Sequence, residues 1–419
     1  MLTFIQKYRY SLLLVLIGLL WLEVLNVLLQ LDRQTLLYPD ASNYLESAQK
    51  MYLKFTGHYY RPMVMAFITG LPYLFGSSDA GILQWSLIVN VLCWLGTSLL
   101  LFQIAKDFLK AKVAFVVAIL PFFIIGNAVL NYHLLTENIY TFFIVLAFYS
   151  LFRYFKTNNF WFLSFSLSLL LSSMLIKPGA KFLVILILLF FIKTLLKNHK
   201  AKAMILLYGS VLMILIQLVG MKVQYGDFTI SYIDGVTYHN YLFSKAECFK
   251  NGKEYHQINN PRAEYLFSLL FTDQKRVAKE DAILQIKTNF PNVVKAYFDN
   301  LLENTKSGNA CVFDLENKRG SSNFTFWKTV AFNLSKWQNR LFTVLGVLVS
   351  LYFVRKLFTP KSVYALMALF VLYTIILSGI SCGQGDRFHV ITFPIVFLLL
   401  AKALVETDRF KRFFVRLQK

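Results

Sequence analysis

Apolar residues in this chain fall into long blocks whose ends are marked by charge. Blocks of about 20 apolar residues are what a bilayer core requires of a helix. Ten such blocks lie near 10–30, 82–104, 113–131, 135–152, 160–176, 182–196, 203–222, 339–354, 362–380 and 389–405. They predict an all-α polytopic membrane protein with about ten transmembrane helices. The segments left between them predict three units: a transmembrane module over 1–222 with a large loop at 31–81, a polar domain over 223–338, and C-terminal helices with a basic tail over 339–419.

The blocks differ in detail. From Asp40 onward, apolar residues recur at Ala41, Tyr44, Leu45, Ala48, Met51, Tyr52 and Phe55, one face of a helix. That spacing predicts an amphipathic helix lying on the membrane surface. The next stretch, Met63–Phe75, is interrupted by Gly70 and Pro72 and reads as re-entrant or interfacial. In the polar domain, Phe228–Ile233 and Val236–Phe243 read as extended segments. Helical patterns follow at Ala263–Leu270, Val277–Thr288 and from Pro291 to Leu302. The expected domain is therefore small and either α/β or mainly helical.

Charge fixes the predicted orientation. The formal net charge is +21, yet 227–336 is nearly balanced, with 14 Lys/Arg against 12 Asp/Glu. The excess sits in short connections: Lys7 and Arg9; Lys106, Lys110 and Lys112; Arg153 and Lys156; Lys193, Lys197, Lys200 and Lys202; Arg355, Lys356 and Lys361; and the tail with Arg409, Lys411, Arg412 and Arg416. All six fall on one side if the N-terminus is cytoplasmic, as the positive-inside rule requires. Both termini are then cytoplasmic, and the loop 31–81, the turn Asn131–Asn138, the domain 223–338 and the turn Ser381–Phe388 face outward. This distribution also excludes a nucleic-acid partner. Cys248 and Cys311 both fall in that outward domain, where a disulfide forms readily, with Cys382 as a competing partner.

Ionisable groups at the edge of a membrane are costly and mark function. Asp40, Glu137, Lys177 with Lys181, and Asp386-Arg387 with His389 come from four different connections yet share one side. Each has a simpler role: Asp40 as a helix N-cap, Lys177 as a snorkelling cation, and Arg387 as a partner only for Asp386. The histidines lack the spacing of a zinc site, and no Walker loop or dinucleotide fingerprint is present.

Residues 39–48, with Asp40 and Tyr44, followed by Gly57, Arg61 and Pro62, resemble the first outer loop of the GT-C glycosyltransferases. The resemblance is to the protein O-mannosyltransferase and lipid A aminoarabinose transferase branch. Thr136-Glu137-Asn138 is similar to that branch's acidic second outer loop, and Arg387 through Pro394 to its late Arg-containing loop. Met63 stands where a second proline is usual, and the residues after Asp40 are Ala and Ser, not a second acid. The resemblance implies a glycosyltransferase of a bacterial inner membrane. It would move a monosaccharide from a polyprenyl-phosphate donor to a lipid, glycan or protein acceptor, with inversion, among membrane lipids. Asp40 is then the general base and Glu137 a second catalytic carboxylate; Tyr44, Arg61, Lys177, Arg387 and His389 bind substrate. No cofactor or metal is indicated. The alternatives are an O-antigen-type polymerase or ligase, and a transporter or flippase for lipid-linked sugars.

Overall fold

The computed structural model describes residues 2–34, 36, 38–357 and 363–406. Of the predicted basic positions, Lys361 and the tail residues Arg409, Lys411, Arg412 and Arg416 lie outside the described residues. Among the described residues there is no β-strand, only a single antiparallel bridge between Asn309 and Gly385.

The chain opens with α1 (Leu2–Leu29), the loop helices α2 (Pro39–Leu53) and α3 (Met63–Thr69), and the long α4 (Asp79–Ala105). Next come α5 (Ala111–Ile119), α6 (Ile125–Val129), α7 (Glu137–Thr157), α8 (Phe160–Met174), α9 (Lys181–Phe190), α10 (Ile192–Lys197) and α11 (Met204–Tyr225). The polar stretch carries α12 (Ile233–Thr237), α13 (Ser244–Lys250), α14 (Pro261–Ser268), α15 (Phe271–Thr288), α16 (Phe290–Lys306) and α17 (Ala310–Phe313). It closes with α18 (Phe324–Val354), α19 (Val363–Ser378), α20 (Arg387–Val390) and α21 (Phe393–Glu406).

Each apolar block holds apolar helix, of varying length. Among the described residues, five helices are long and apolar enough to cross a bilayer: Tyr8–Leu29, Asp79–Ala105, Glu137–Thr157, Met204–Tyr225 and Phe324–Val354. Ala111–Phe123 and Ile125–Tyr132 reach that length only as a pair, bent by 68° between them. Phe160–Met174, Pro178–Phe190 and Val363–Ser378 are shorter apolar helices. Proline explains the bend: Pro121 removes a backbone donor, and the chain is extended at Ile124 before the helix resumes. One large apolar core threads through these helices, and two small clusters lie among α12–α16.

The amphipathic helix is α2, but its apolar face meets protein rather than lipid. Ala41, Tyr44, Leu45 and Ala48 are all buried in the main core. Gly70 lets α3 approach that helix, since a Cβ there would lie 2.5 Å from the Tyr52 ring. Of the two predicted extended segments, Phe228–Ile233 is irregular up to Tyr232, while Val236–Phe243 is helical within a run from Ile233 to Lys250 that has a wide turn at Tyr238–Phe243. Val236, Leu242, Phe243 and Ala246 supply the buried positions there. A short apolar run does not by itself distinguish strand from helix. Both cysteines of the expected disulfide are free thiols: Cys311 is enclosed in the main core, while Cys248 rides on α13.

Backbone that leaves regular helix inside an apolar surround must find internal partners. Buried asparagines provide them at two bends. The Asn90 amide donates to the carbonyls of Asn131 (3.3 Å) and His133 (2.9 Å), which steadies the turn ahead of α7. The Asn304 amide donates to the carbonyls of Ser378 (2.9 Å) and Ser381 (2.7 Å), which fixes the chain leaving α19. Both bends deliver a charged residue, Glu137 at one and Arg387 at the other. Gly385 makes the second bend possible. Its φ is +58°, and a Cβ on it would lie 2.0 Å from the Gly308 carbonyl oxygen.

A side chain at Gly385 must therefore strain the backbone and displace the 308–310 segment. Gly385→Ala is expected to cost more than the roughly 1 kcal/mol of an unfavourable left-handed residue. Thermal unfolding of the purified protein in detergent checks this; an unchanged midpoint would contradict the packing described.

Candidate active site

Asp40 sits at the second residue of α2. Tyr38 takes the N-cap position and Pro39 the first helical position, so Asp40 is not the cap. Its carboxylate instead faces two guanidiniums. Arg61 Nη2 donates to Oδ1 at 2.6 Å, and Arg387 Nη1 donates to Oδ2 at 3.2 Å. Arg387 Nη2 also donates to Glu137 Oε1 at 3.0 Å, and Lys177 Nζ reaches the same oxygen at 3.4 Å. Four segments far apart in sequence thus meet in one ion network. Arg387 is its hub, and it is only 5% exposed.

Each charge is held by its own support. Arg61 stacks over the Tyr44 ring at 4.5 Å and bonds to its hydroxyl at 3.4 Å. The turn before Arg61 is pinned by His58, whose Nδ1 accepts from the backbone N–H of Tyr60 (3.0 Å) and of Arg61 (3.2 Å). His58 Nε2 faces Glu46 at 3.4 Å. Arg387 lies over the Tyr38 ring at 4.1 Å, and both Arg387 Nη1 and the Tyr38 hydroxyl donate to Gln384 Oε1 at 2.8 Å. Asp386, the expected partner of Arg387, is occupied elsewhere: it accepts from the Asn309 amide at 2.6 Å.

Burial alone would raise the Asp40 carboxyl, but Arg61 and Arg387 outweigh it and hold the group below the usual carboxylate range. Asp386, buried with weaker compensation, is pushed up to about 7. Burial also lowers His58 to about 4, which keeps the imidazole neutral as the acceptor that the Tyr60–Arg61 turn needs.

The predicted residues divide on this geometry. Asp40, Tyr44, Arg61, Glu137, Lys177 and Arg387 come together. Lys181 pairs with Asp234 instead. His389 is placed elsewhere: it is fully buried and bonded to Thr343 (3.0 Å), Asn339 (3.1 Å) and Ser378 (2.9 Å), where it ties helices together. Tyr38, His58 and Gln384 were not singled out from the sequence. For Tyr38 a signal existed, an aromatic residue directly before the Pro39-Asp40 pair. Among the described residues, no group of three or more His, Cys, Asp or Glu is placed to hold a metal ion.

Residues 60–220 match the profile of the dolichyl-phosphate-mannose-protein mannosyltransferase family. That match covers less than half of the chain. The matched stretch contains Arg61, Glu137 and Lys177 of the charge cluster, while Asp40 and Arg387 lie outside it. Among solved structures, the chain is similar to the archaeal oligosaccharyltransferase AglB from Archaeoglobus fulgidus, in complex with an inhibitory peptide and a dolichol-phosphate. That likeness has a TM-score of 0.46 at 11% identity and covers 97% of this chain. The chain spans about half of that protein's length, 52%. No match was found among curated proteins.

Two outcomes follow from the network. Removing one partner of a buried ion pair typically costs about 3–5 kcal/mol, because the other charge is stranded. Arg387→Met, which leaves Asp40 with Arg61 alone and Glu137 with Lys177 alone, is expected to lose stability toward the low end of that range in denaturant or thermal unfolding. A loss no larger than that of an exposed substitution would contradict the hub role. His58 titrates lower folded than unfolded, so the unfolded chain binds more protons between pH 6.5 and 4. Stability should therefore fall as pH drops through that window. A His58→Asn variant, whose amide oxygen can still accept, should show a flatter dependence in thermal unfolding scans from pH 7 to 4.

Proposed function

We propose that this protein transfers a monosaccharide from a polyprenyl-phosphate donor to an acceptor hydroxyl on the exoplasmic face of a bacterial plasma membrane. Both termini lie in the cytoplasm, as the basic connections require. The observation that carries the reading is the charge cluster itself. Three cations, Arg61, Lys177 and Arg387, face two carboxylates, Asp40 and Glu137. One positive charge is uncompensated, and Arg61 Nε and Arg387 Nε are buried donors without a protein partner. An anionic ligand supplies what the cluster lacks, and a phosphate accepts from guanidinium in a bidentate fashion.

The chemistry then follows from competition for the same guanidiniums. Clamped between two arginines, Asp40 is a weak base. A donor phosphate draws Arg61 and Arg387 toward itself, and the released carboxylate becomes basic enough to accept a proton. The acceptor hydroxyl oxygen attacks the anomeric carbon as the bond from that carbon to the phosphate oxygen breaks. Asp40 takes the hydroxyl proton, and the arginines with Lys177 hold the charge that develops on the departing phosphate. Direct displacement inverts the anomeric centre. Glu137, tied to Arg387 and Lys177, positions both cations for the phosphate.

A general base contributes about 10²–10⁴-fold to rate. Asp40→Asn, at matched protein level and fold, should reduce transfer from radiolabelled polyprenyl-phosphate sugars into membrane acceptors by that factor. Label transferred at the wild-type rate by this variant would remove Asp40 from the chemistry.

A further inference from the structure

A second concave site lies beside the charge cluster. It is a cavity of about 330 Å³ lined by Lys245, Tyr255, Gln257, Asp299, Glu303 and Cys382. That volume is within the range of small-ligand pockets. Helices α13 and α16 form one side, and the chain leading to Arg387 forms the other. The backbone N–H of Gly383 donates to Glu303 Oε1 at 3.0 Å, and the next residue, Gln384, holds Arg387 and Tyr38. Four residues, 383–386, thus join the wall of the cavity at Cys382 to the hub at Arg387. Tyr241 interacts electrostatically with Asp40 and Arg61 of the cluster and with Cys382 of the cavity wall.

The chemistry of the lining selects a ligand. Lys245 has three N–H donors and three protein acceptors: Asp299 Oδ2 at 2.6 Å, Glu303 Oε2 at 3.0 Å and Asn300 Oδ1 at 3.0 Å. Its charge is spent on those partners and offers nothing to an anion. Tyr255 donates its hydroxyl to the Asn240 carbonyl at 3.0 Å. What remains facing the cavity is mainly acceptor capacity. Carboxylate oxygens of Asp299 and Glu303 are partly exposed, and Glu254 adds a further negative charge at the rim. A ligand rich in hydrogen-bond donors fits this lining, and a polyanion is repelled by it.

We infer that this cavity is a saccharide subsite for the acceptor, holding a hydroxyl-bearing neutral or amino sugar beside the donor cluster. The inference rests on the transferase reading above and adds the acceptor's class to it. The cationic cluster receives the phosphate and the carboxylate-lined cavity receives the hydroxyls, so the two substrates are sorted by charge. Sugars bearing phosphate or carboxylate are disfavoured in this cavity.

The test is binding of the full-length protein in detergent to an array of immobilised neutral, amino and acidic saccharides and basic peptides, without donor. The expected result is signal on neutral or amino saccharides, reduced at least tenfold by Glu303→Gln and by Asp299→Asn, each with a wild-type unfolding midpoint. Asp40→Asn should bind the array as wild type does while failing to transfer sugar. Absence of saccharide binding, binding confined to acidic sugars or peptides, or signal unchanged in both cavity variants would overturn the inference. If Asp40→Asn still transferred sugar, the base assignment would fail while the array result continued to decide the subsite.

Discussion

Everything near the site depends on Arg387 having two carboxylates to bridge. A guanidinium buried among apolar helices is tolerable only when its charge is compensated and its donors are used. Asp40 and Glu137 provide that compensation from two separate segments of the N-terminal half. The bridge therefore fastens the loop helix α2, the start of α7 and the turn before α20 to one point. The asparagine-supported bends and the left-handed Gly385 are the backbone's means of reaching that point.

The same constraint gives the site its chemical character. Ion pairs that satisfy one another completely would be inert and structural. Here the cations outnumber the carboxylates, and both arginines keep an unused Nε–H. The cluster is stable enough to hold its shape and still short of one negative charge. That combination suits a receptor for an anion better than a structural salt bridge, and under the proposed function it would keep Asp40 masked until a donor phosphate arrives.

Much of this was readable in the sequence, for physical reasons. Apolar blocks with charged ends have no other use than a bilayer, so the helical membrane architecture was legible, and costly charges at the helix ends pointed to Asp40, Glu137, Lys177 and Arg387. What was not legible depends on contacts between distant residues. The stretch Val236–Phe243 is too short for its period to choose between strand and helix, and packing against α15 and α16 decides it. His389 sits beside Arg387 in sequence but one turn of chain turns it into the core, onto Asn339 and Ser378. Asp386 looked like the natural partner for Arg387, and the Asn309 amide claimed it instead. A hydrophobic block likewise does not reveal that its helix turns by 68° shortly after Pro121.

The central claim is that the Asp40–Arg61–Glu137–Lys177–Arg387 cluster is built to receive a lipid-linked phosphate. Its most direct test is thermal unfolding of the purified protein with added polyprenyl phosphate or the uncharged polyprenol of equal length. Ligand at about 100 times its dissociation constant stabilises a folded protein by roughly 2.7 kcal/mol. The phosphate should raise the unfolding midpoint and the polyprenol should not. Equal stabilisation by both lipids, or none by the phosphate, would contradict the account.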